Sequence, residues 1–453
     1  MYILRFRFEN HMSFGAEVDL TMVLPSMRTN HPTNGSWIDW TTRVAAIYGP
    51  NASGKSGIVD ALRYMKACVA SSPTWAKRGR FPRTHFALDE NSRDRPSSFA
   101  LDFVLNSVRH EYGFSISSTR VEEEWLYTFP TGRKRVVFER EPGANGMSFG
   151  RELGGGGSDL RRTTTERELL LSRAALTRHH FLEPIHDCIV NGIDIAQFGE
   201  SDRKNRLRSV IQDVSDGSLS LDDLRTMLRV ADIGIIGAEV AEGETDPRVL
   251  RLFRALLEVE LDVGDEEVDD NDIPSDEQVE EIFTTLARSL KFKHVGKNDQ
   301  IYSLASSAQS TGTLTWLSLA APAIGTIRRG GVLAVDELDA SLHPQLAQVM
   351  IQMFRDDSVN TTGAQLIFTT HDTYFISPSS NSRLSPEEVW FVEKERNGIS
   401  DLYRLSDFQT RKDQNLSRRY LQGRYGAVPS VAPSFLAALA SSNNSNEQDR
   451  ELV

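Results

Sequence analysis

Eight consecutive residues carry the chemistry that can be read first: Gly49-Pro50-Asn51-Ala52-Ser53-Gly54-Lys55-Ser56, a full match to G-x-x-x-x-G-K-[ST]. Gly49 and Gly54 let the backbone curl, so that N–H groups along the loop point inward at phosphate oxygens. Lys55 supplies a point charge to those phosphates, and the Ser56 hydroxyl is a ligand for Mg²⁺. Such a loop needs an acid on a second strand. Val332-Leu333-Ala334-Val335 ends in Asp336 and Glu337, the first suited to hold Mg²⁺ through water and the second to polarise an attacking water. Asp339 follows in Leu338-Asp339-Ala340-Ser341-Leu342-His343-Pro344, and Gln365-Leu366-Ile367-Phe368-Thr369-Thr370 runs into His371. Upstream, Ser310-Thr311-Gly312-Thr313 opens a helical stretch, and a Ser-x-Gly turn at a helix start is a second anion site. Taken singly, His371 is an ordinary loop histidine and Ser310-Thr311-Gly312 an ordinary turn. Two phosphate-binding helix starts in one chain point to composite sites, completed when two copies meet.

The elements that must position these residues are legible around them. Arg43 to Tyr48 reads as a short buried strand entering the loop, and Gly57 to Val69 as a helix with Ile58, Leu62 and Met65 on one side. The helix N-terminus adds partial positive charge beneath the phosphates. Leu314 to Ile327 has helical spacing and leads through Gly330-Gly331 into the Asp336 strand. Residues 1–150 read as β-rich around the P-loop helix, with alternation at Phe99–Leu105, Tyr112–Ile116 and Val136–Phe138. Gly154-Gly155-Gly156-Gly157-Ser158 is a flexible break. Beyond it Thr165–Leu176, Leu221–Val230, Arg248–Glu260 and Asp276–Leu290 all look helical, which predicts an inserted helical lid or arm over 160–300. No sustained heptads appear, so a long coiled coil is disfavoured. Residues 301–430 then form the second lobe, with strands at Glu388–Glu393 and Asp401–Leu405, and 431–453 read as a disordered polar tail. The fold class is α/β: a P-loop head with a mixed sheet, a β-rich N-terminal lobe and a helical insertion.

Composition narrows the classes. Hydrophobic content of 39% and charged content of 25% over 453 residues are those of a soluble globular protein. No apolar run approaches membrane-spanning length, and the start lacks a signal peptide's apolar core, so the cytoplasm is the expected location and no membrane partner is expected. Cys68 and Cys188 make no metal or disulfide framework. A net charge of −12 does not advertise nucleic-acid binding, and much of the excess sits in Glu258–Glu281. Basic clusters at Lys77-Arg78 with Arg80 and Arg83, at Arg133-Lys134-Arg135, and at Arg203-Lys204 with Arg206 and Arg208 are candidate contacts to phosphate backbones; solvated faces are the plainer reading.

The order P-loop, Ser-Gly turn, Asp-Glu strand, Asp loop and strand-His resembles the ABC-type ATPases. The resemblance implies two heads sandwiching two ATPs with Mg²⁺. Each ATP would lie on one head's Gly49–Ser56 loop under the other's Ser310 and Gly312, with Glu337 as general base, His371 on the γ-phosphate and Asp339 sensing the opposite site. The Ser-Gly turn departs from the pattern by lacking its double glycine and glutamine, and Gly57 stands where an asparagine is usual.

Further pieces narrow the group: Phe6-Arg7-Phe8-Glu9-Asn10-His11-Met12-Ser13-Phe14, Asp336 to Pro344, and Arg418-Arg419-Tyr420-Leu421-Gln422-Gly423-Arg424-Tyr425-Gly426-Ala427. Together they resemble bacterial abortive-infection ATPases of the RloA/AbiL type, relatives of the OLD-family and RecF-like AAA ATPases. This implies an antiphage sensor or switch, or a scaffold, working as a homodimer or higher oligomer. It would control a separately encoded effector such as a nuclease, a toprim protein or an RloB-like protein. The stretch after His371 is too short for a toprim domain of the chain's own, so any destructive activity is expected in a partner. The alternative is a RecF-like DNA-repair or chromosome-maintenance ATPase, for which nucleic acid would be the partner.

Overall fold

The computed structural model describes residues 1–27, 31–32, 36–77, 81–143, 146–231, 234–241, 289–340, 342–409, 411 and 414–428. The helices expected at Arg248–Glu260 and over most of Asp276–Leu290, the acidic segment Glu258–Glu281 and the tail 431–453 lie outside the described residues, as do Arg78, Arg80 and Ser341.

A six-stranded sheet carries the P-loop. Its members are β3 (Val44–Tyr48), β9 (Ile193–Ala196), β13 (Val332–Val335), β14 (Gln365–Thr369), β15 (Val389–Lys394) and β16 (Ser400–Arg404), in the order β16-β15-β3-β14-β13-β9. All neighbours are parallel except β16, which runs antiparallel to β15. The central strands β3, β13 and β14 are buried at every position, as expected of parallel strands covered on both faces. Their side chains alternate between two cores. Ala45, Ile47, Val332, Ala334 and Ile367 face one; Val44, Ala46, Tyr48, Leu333, Val335, Leu366 and Phe368 face the other.

The first core is closed by α1 (Lys55–Lys77) and by a seven-stranded antiparallel sheet. That sheet is ordered β2-β1-β4-β5-β6-β7-β8, from β1 (Tyr2–Glu9), β2 (Val18–Thr21), β4 (Ser97–Leu105), β5 (Val108–Ile116), β6 (Val121–Phe129), β7 (Arg135–Arg140) and β8 (Met147–Phe149). The second core is closed by helices α5 (Glu200–Ser215), α6 (Leu221–Ala231), α7 (Thr311–Arg329) and α8 (Pro344–Arg355). A small sheet of β10 (Ile235–Ala241), β11 (Ser289–Val295) and β12 (Ile301–Ala305) packs beside α5 and α6.

The stretch expected to be a helical arm is mixed among its described residues. Helices α2 (Gly157–Thr163), α3 (Leu170–Leu176), α4 (Glu183–Gly192), α5 and α6 are present, but β9, β10 and β11 fall in the same span. β9 lies in the head's own sheet beside β13. Four residues, Ile-Asp-Ile-Ala, are too few to show a period, and a tertiary partner decides their conformation. Lys66 of α1 fixes the strand's start by donating to Ile193 O at 2.6 Å.

The P-loop helix is braced in an unusual place. Pro73 sits inside α1 and cannot donate to Val69 O. Ser172 of α3 fills the gap, its Oγ donating to Val69 O at 2.6 Å, and Ser72 Oγ lies 2.9 Å from the same hydroxyl. The start of α3 is in turn held by Glu124, fully buried on β6, which accepts from Leu170 N (2.6 Å), Leu171 N (3.0 Å) and Tyr112 Oη (3.1 Å). Arg140 lies 3.4 Å from the carboxylate. Burial pushes the Glu124 carboxyl up, and Arg140 with the amides works against that rise. Glu124→Ala would strand Arg140 and two helix N–H groups, at a cost of about 3 kcal/mol. The measurement is the urea midpoint; an unchanged midpoint would show that the pair contributes nothing net.

Candidate functional site

The loop between β3 and α1 is shaped by close approach. A Cβ on Gly49 would lie 2.4 Å from Val392 O, inside any tolerable contact. Gly54 has φ +113°, and a Cβ there would meet Ser13 Oγ and Ser400 Oγ at 2.7 Å each. Ala52 is also left-handed, at φ +61°. Ser400 Oγ donates to Ser53 O at 2.5 Å and shares a hydrogen bond with Ser13 Oγ at 2.8 Å, so two distant segments pin the loop. Ser53 N bonds Pro50 O at 3.2 Å, while Ser53 Oγ is buried without a partner. Lys55 Nζ donates to Gly49 O (2.9 Å) and Pro50 O (3.0 Å). Burial holds its ammonium below the ordinary range, and Glu337, Asp336 and Asp339 pull it back up. Gly57 is explained by packing: a Cβ would come 3.1 Å from the buried Phe14 ring, so the usual asparagine has no room unless that ring gives way.

The acidic side of the site is organised by Thr369, the last residue of β14. Its Oγ1 donates to Asp336 Oδ1 at 2.7 Å and accepts from Glu337 N at 2.7 Å, and its carbonyl accepts from Leu338 N at 3.0 Å. Glu337 sits at φ +54°, a conformation that costs a non-glycine residue on the order of 1 kcal/mol. Asp336 N bonds Ala196 O at 2.8 Å, tying the carboxylate pair to the end of β9. Asp339 accepts from His371 N at 3.3 and 3.4 Å. Burial and the Lys55 charge depress the basicity of the His371 imidazole, with Asp339, Glu337 and Asp336 opposing.

A cavity of about 640 Å³ brings these groups together. Asn51 to Gly57 line it together with Glu337 and His371. Its far wall is Met12, Ser13, residues 84–88, Lys394 and Gly398, none of which the motif search assigned to the site. Gly49, Pro50 and Asp339 do not line it; the first two accept from Lys55 and the third holds the His371 backbone. A second cavity of about 340 Å³ shares Glu337 with the first and is lined by Asp336, Gln197, Arg203, Arg206 and Thr311. Ser310 and Gly312 line neither. Ser310 caps α7, its Oγ accepting from Thr313 N at 3.1 Å.

These residues fit a nucleotide and a divalent ion. The glycine cradle, the orphaned Ser53 hydroxyl and a lysine bonded only to its own loop's carbonyls are groups that a polyphosphate would engage. Among the described residues no group of three or more His, Cys, Asp or Glu could cage a metal, so protein ligands alone would not suffice. A serine hydroxyl and one carboxylate shared with phosphate oxygens is the donor set Mg²⁺ accepts.

Two other sequence features resolve plainly. The closing aromatic segment packs on the head itself: Tyr420 and Tyr425 are buried, Tyr420 lies against Tyr48 and Phe391, and Tyr403 Oη donates to Tyr425 O at 2.7 Å. Several described members of the basic clusters are engaged within the chain. Arg83 bonds the carbonyls of Arg93 and Arg95, Arg135 pairs with Glu152 at 2.9 Å, Lys204 with Glu200 at 2.8 Å, and Arg206 with Asp202. No described helix is long and apolar enough to cross a membrane.

Thr369→Val keeps the shape of the clamp and removes its hydroxyl. The Glu337 N–H is then unpaired, and a loss of about 1–3 kcal/mol in stability is expected. ATP turnover should fall while nucleotide affinity is kept. Equal turnover in the two proteins, measured by phosphate release, would mean the hydroxyl does not organise the carboxylates.

Comparison with known proteins gives one family. The model described as "AAA domain, putative AbiEii toxin, Type IV TA system" matches residues 44–176 and 200–377. These stretches hold the P-loop, the Asp336-Glu337 pair and His371. A search of curated proteins finds no match. Among solved structures, "Crystal structure of the SmcHead bound to the C-winged helix domain of ScpA" is similar at 13% identity and a TM-score of 0.43, over 93% of this chain and 99% of that one. A likeness that distant says nothing of function. With the family model spanning well over half its length, and a P-loop site in place within the matched residues, the chain belongs to this AAA-domain family.

Proposed function

We propose that the protein is a Mg²⁺-dependent ATPase of the ABC type, acting as a dimeric switch or scaffold in bacterial antiphage defence. One observation carries the ATPase reading: the P-loop, Glu337 and His371 line a single cavity. Backbone N–H groups of Asn51 to Lys55 cradle the β- and γ-phosphates and Lys55 leaves its loop carbonyls to bind them. Ser56 and Asp336 would hold Mg²⁺, and Gln197, which shares the second cavity with Asp336, would add an amide oxygen to the donor set. The bound ion supplies charge neutralisation on the phosphates. Glu337 takes the proton of the attacking water, its backbone fixed by the Thr369 clamp, and His371 donates to the γ-phosphate. Asp339 acts through the His371 backbone it holds.

Ser310 and Gly312 of a second copy complete the site, which makes turnover depend on dimerisation. The defence role, with a separately encoded effector and a cytoplasmic setting, is supported by the motif resemblance to the RloA/AbiL group and by the family's printed description. A RecF-like role on DNA has weaker support, since several described members of the basic clusters are paired with the chain's own acids and carbonyls.

The reading is tested with three variants of the full chain. Lys55→Ala should weaken ATP binding on the order of 100-fold, the loss of charge-assisted bonds to phosphate. Glu337→Gln should keep ATP affinity, lower kcat by about 10²–10⁴-fold and accumulate an ATP-bound dimer in light scattering. Ser310→Arg should fold and bind ATP yet neither dimerise nor hydrolyse it. Wild-type turnover from Ser310→Arg at equal concentration would sink the shared site, and full turnover from Lys55→Ala would sink the ATPase reading.

A further inference from the structure

Asp60 lies on α1 beyond the P-loop turn, and no motif draws attention to it. Its carboxylate is nonetheless the meeting point of three segments. Oδ2 is 2.9 Å from Nε2 of His11, a residue 1% exposed. Oδ1 accepts from Arg63 Nε (2.9 Å) and Nη2 (2.6 Å), and from Gln197 Nε2 (3.4 Å). Burial pushes this carboxyl up, but the hydrogen bonds from His11 and Arg63 outweigh it and hold the group below the usual carboxylate range. Oδ1 is the acceptor in all three of these bonds, so the Gln197 amide meets it with its NH₂ end.

That orientation matters because of where Gln197 sits. It follows the last residue of β9, whose carbonyl accepts from Asp336 N at 2.8 Å. Its backbone is fixed on both sides, N–H donating to Asp202 at 3.0 Å and C=O accepting from Arg206 at 3.2 Å. The side chain is the remaining freedom. With Nε2 committed to Asp60, Oε1 is the end left for the cavity shared with Asp336 and Glu337. On its other side Asp60 grips the loop that continues into Met12 and Ser13, which line the nucleotide cavity.

We propose that Asp60 is a positioning residue: it orients the Gln197 amide oxygen toward the metal ligands and couples that orientation, through His11, to the loop beneath the nucleotide. Asp60 itself touches neither nucleotide nor ion. This deepens the ATPase reading and rests on it.

The experiment compares wild type, Asp60→Asn, Gln197→Ala and the double variant as full chains, with a fluorescent ATP analogue in EDTA and in Mg²⁺. Asp60→Asn is close to isosteric; Asp60→Ala, smaller and with neither donor nor acceptor, is the second variant should the first melt early. Both should bind nucleotide as wild type does in EDTA and lose about tenfold of the affinity gained with Mg²⁺. kcat should fall by a similar factor with KM for Mg-ATP changed far less. The double variant should match Gln197→Ala alone, because the two residues act through one amide. Losses that multiply in the double variant, or a Mg²⁺ gain as large as in wild type, overturn the assignment. Absent turnover in wild type sinks the ATPase reading, while the EDTA and Mg²⁺ titrations still decide Asp60.

Discussion

The site depends on the register of three parallel strands. Ile47 pairs with Thr369 and Phe368 with Val335, so β3, β14 and β13 end side by side. Each end then releases one functional group: the P-loop from β3, His371 from β14, and Asp336 with Glu337 from β13. Backbone bonds extend the alignment past the strands, with Thr370 N on Ile47 O at 3.0 Å and Leu338 N on Thr369 O at 3.0 Å. A slip of one residue would turn the alternating side chains of a strand into the wrong core. The two cores on opposite faces therefore fix the active geometry as a by-product of burial. The crevice at the carboxyl ends of such a sheet is where α/β proteins bind ligands.

What could be read from the sequence follows from this. Strands β3, β13 and β14 are continuous apolar runs ending in polar residues of unusual type, and both properties are visible without partners. Their order in the sheet was not visible. β6 is hidden in the sequence because Val121-Glu122-Glu123-Glu124 reads as a solvated charge run, yet Glu124 is fully buried, and the distant Arg140, Tyr112 and the start of α3 make that tolerable. β9 and Gln197 escaped for a different reason: four residues have no period, and a lone glutamine carries no signal until a neighbouring strand places it beside Asp336. Ser13 and Ser400 are both serines far from the P-loop in sequence, and only the close approach to Gly54 shows why small residues stand there. The left-handed Glu337 was equally hidden, since strain at a non-glycine residue is a property of the fold.

The two halves of the site differ in how they are held. The P-loop is gripped by backbone and by two hydroxyls, with its glycines admitting the approach. The acidic half is gripped by one threonine whose hydroxyl donates to the Asp336 carboxylate and accepts from the Glu337 backbone N–H. Electrostatics couple the halves. Lys55 lies close enough to Glu337, Asp336 and Asp339 to feel all three, and it depresses His371 in turn. Phosphate arriving between them would draw the lysine off its own loop carbonyls and relieve its burial without a counter-ion, which is how a bound anion and a preorganised cation stabilise each other.

The position of the Ser310 turn has a geometric cause that bears on the proposed sharing of the site between two copies. α7 spans 19 residues and β13 only four, and they are joined by the tight Gly330-Gly331 turn, so the helix runs back along the strand. At 1.5 Å per residue the helix is about 28 Å long, and at 3.3 Å per residue the strand is about 13 Å. The longer helix carries its first turns to the end of the strand, where Thr311 and Thr315 line the second cavity with Asp336 and Glu337. Ser310 and Gly312 line neither cavity. Ser310 has spent its hydroxyl as an acceptor for Thr313 N. Its oxygen also lies 2.7 Å from Thr313 Oγ1, so what the turn offers an anion is chiefly the first-turn backbone N–H groups and the positive end of a long helix dipole. A helix start that lies beside Asp336 and Glu337, with Ser310 and Gly312 outside both cavities, is the feature on which the proposal of a second copy completing the site rests.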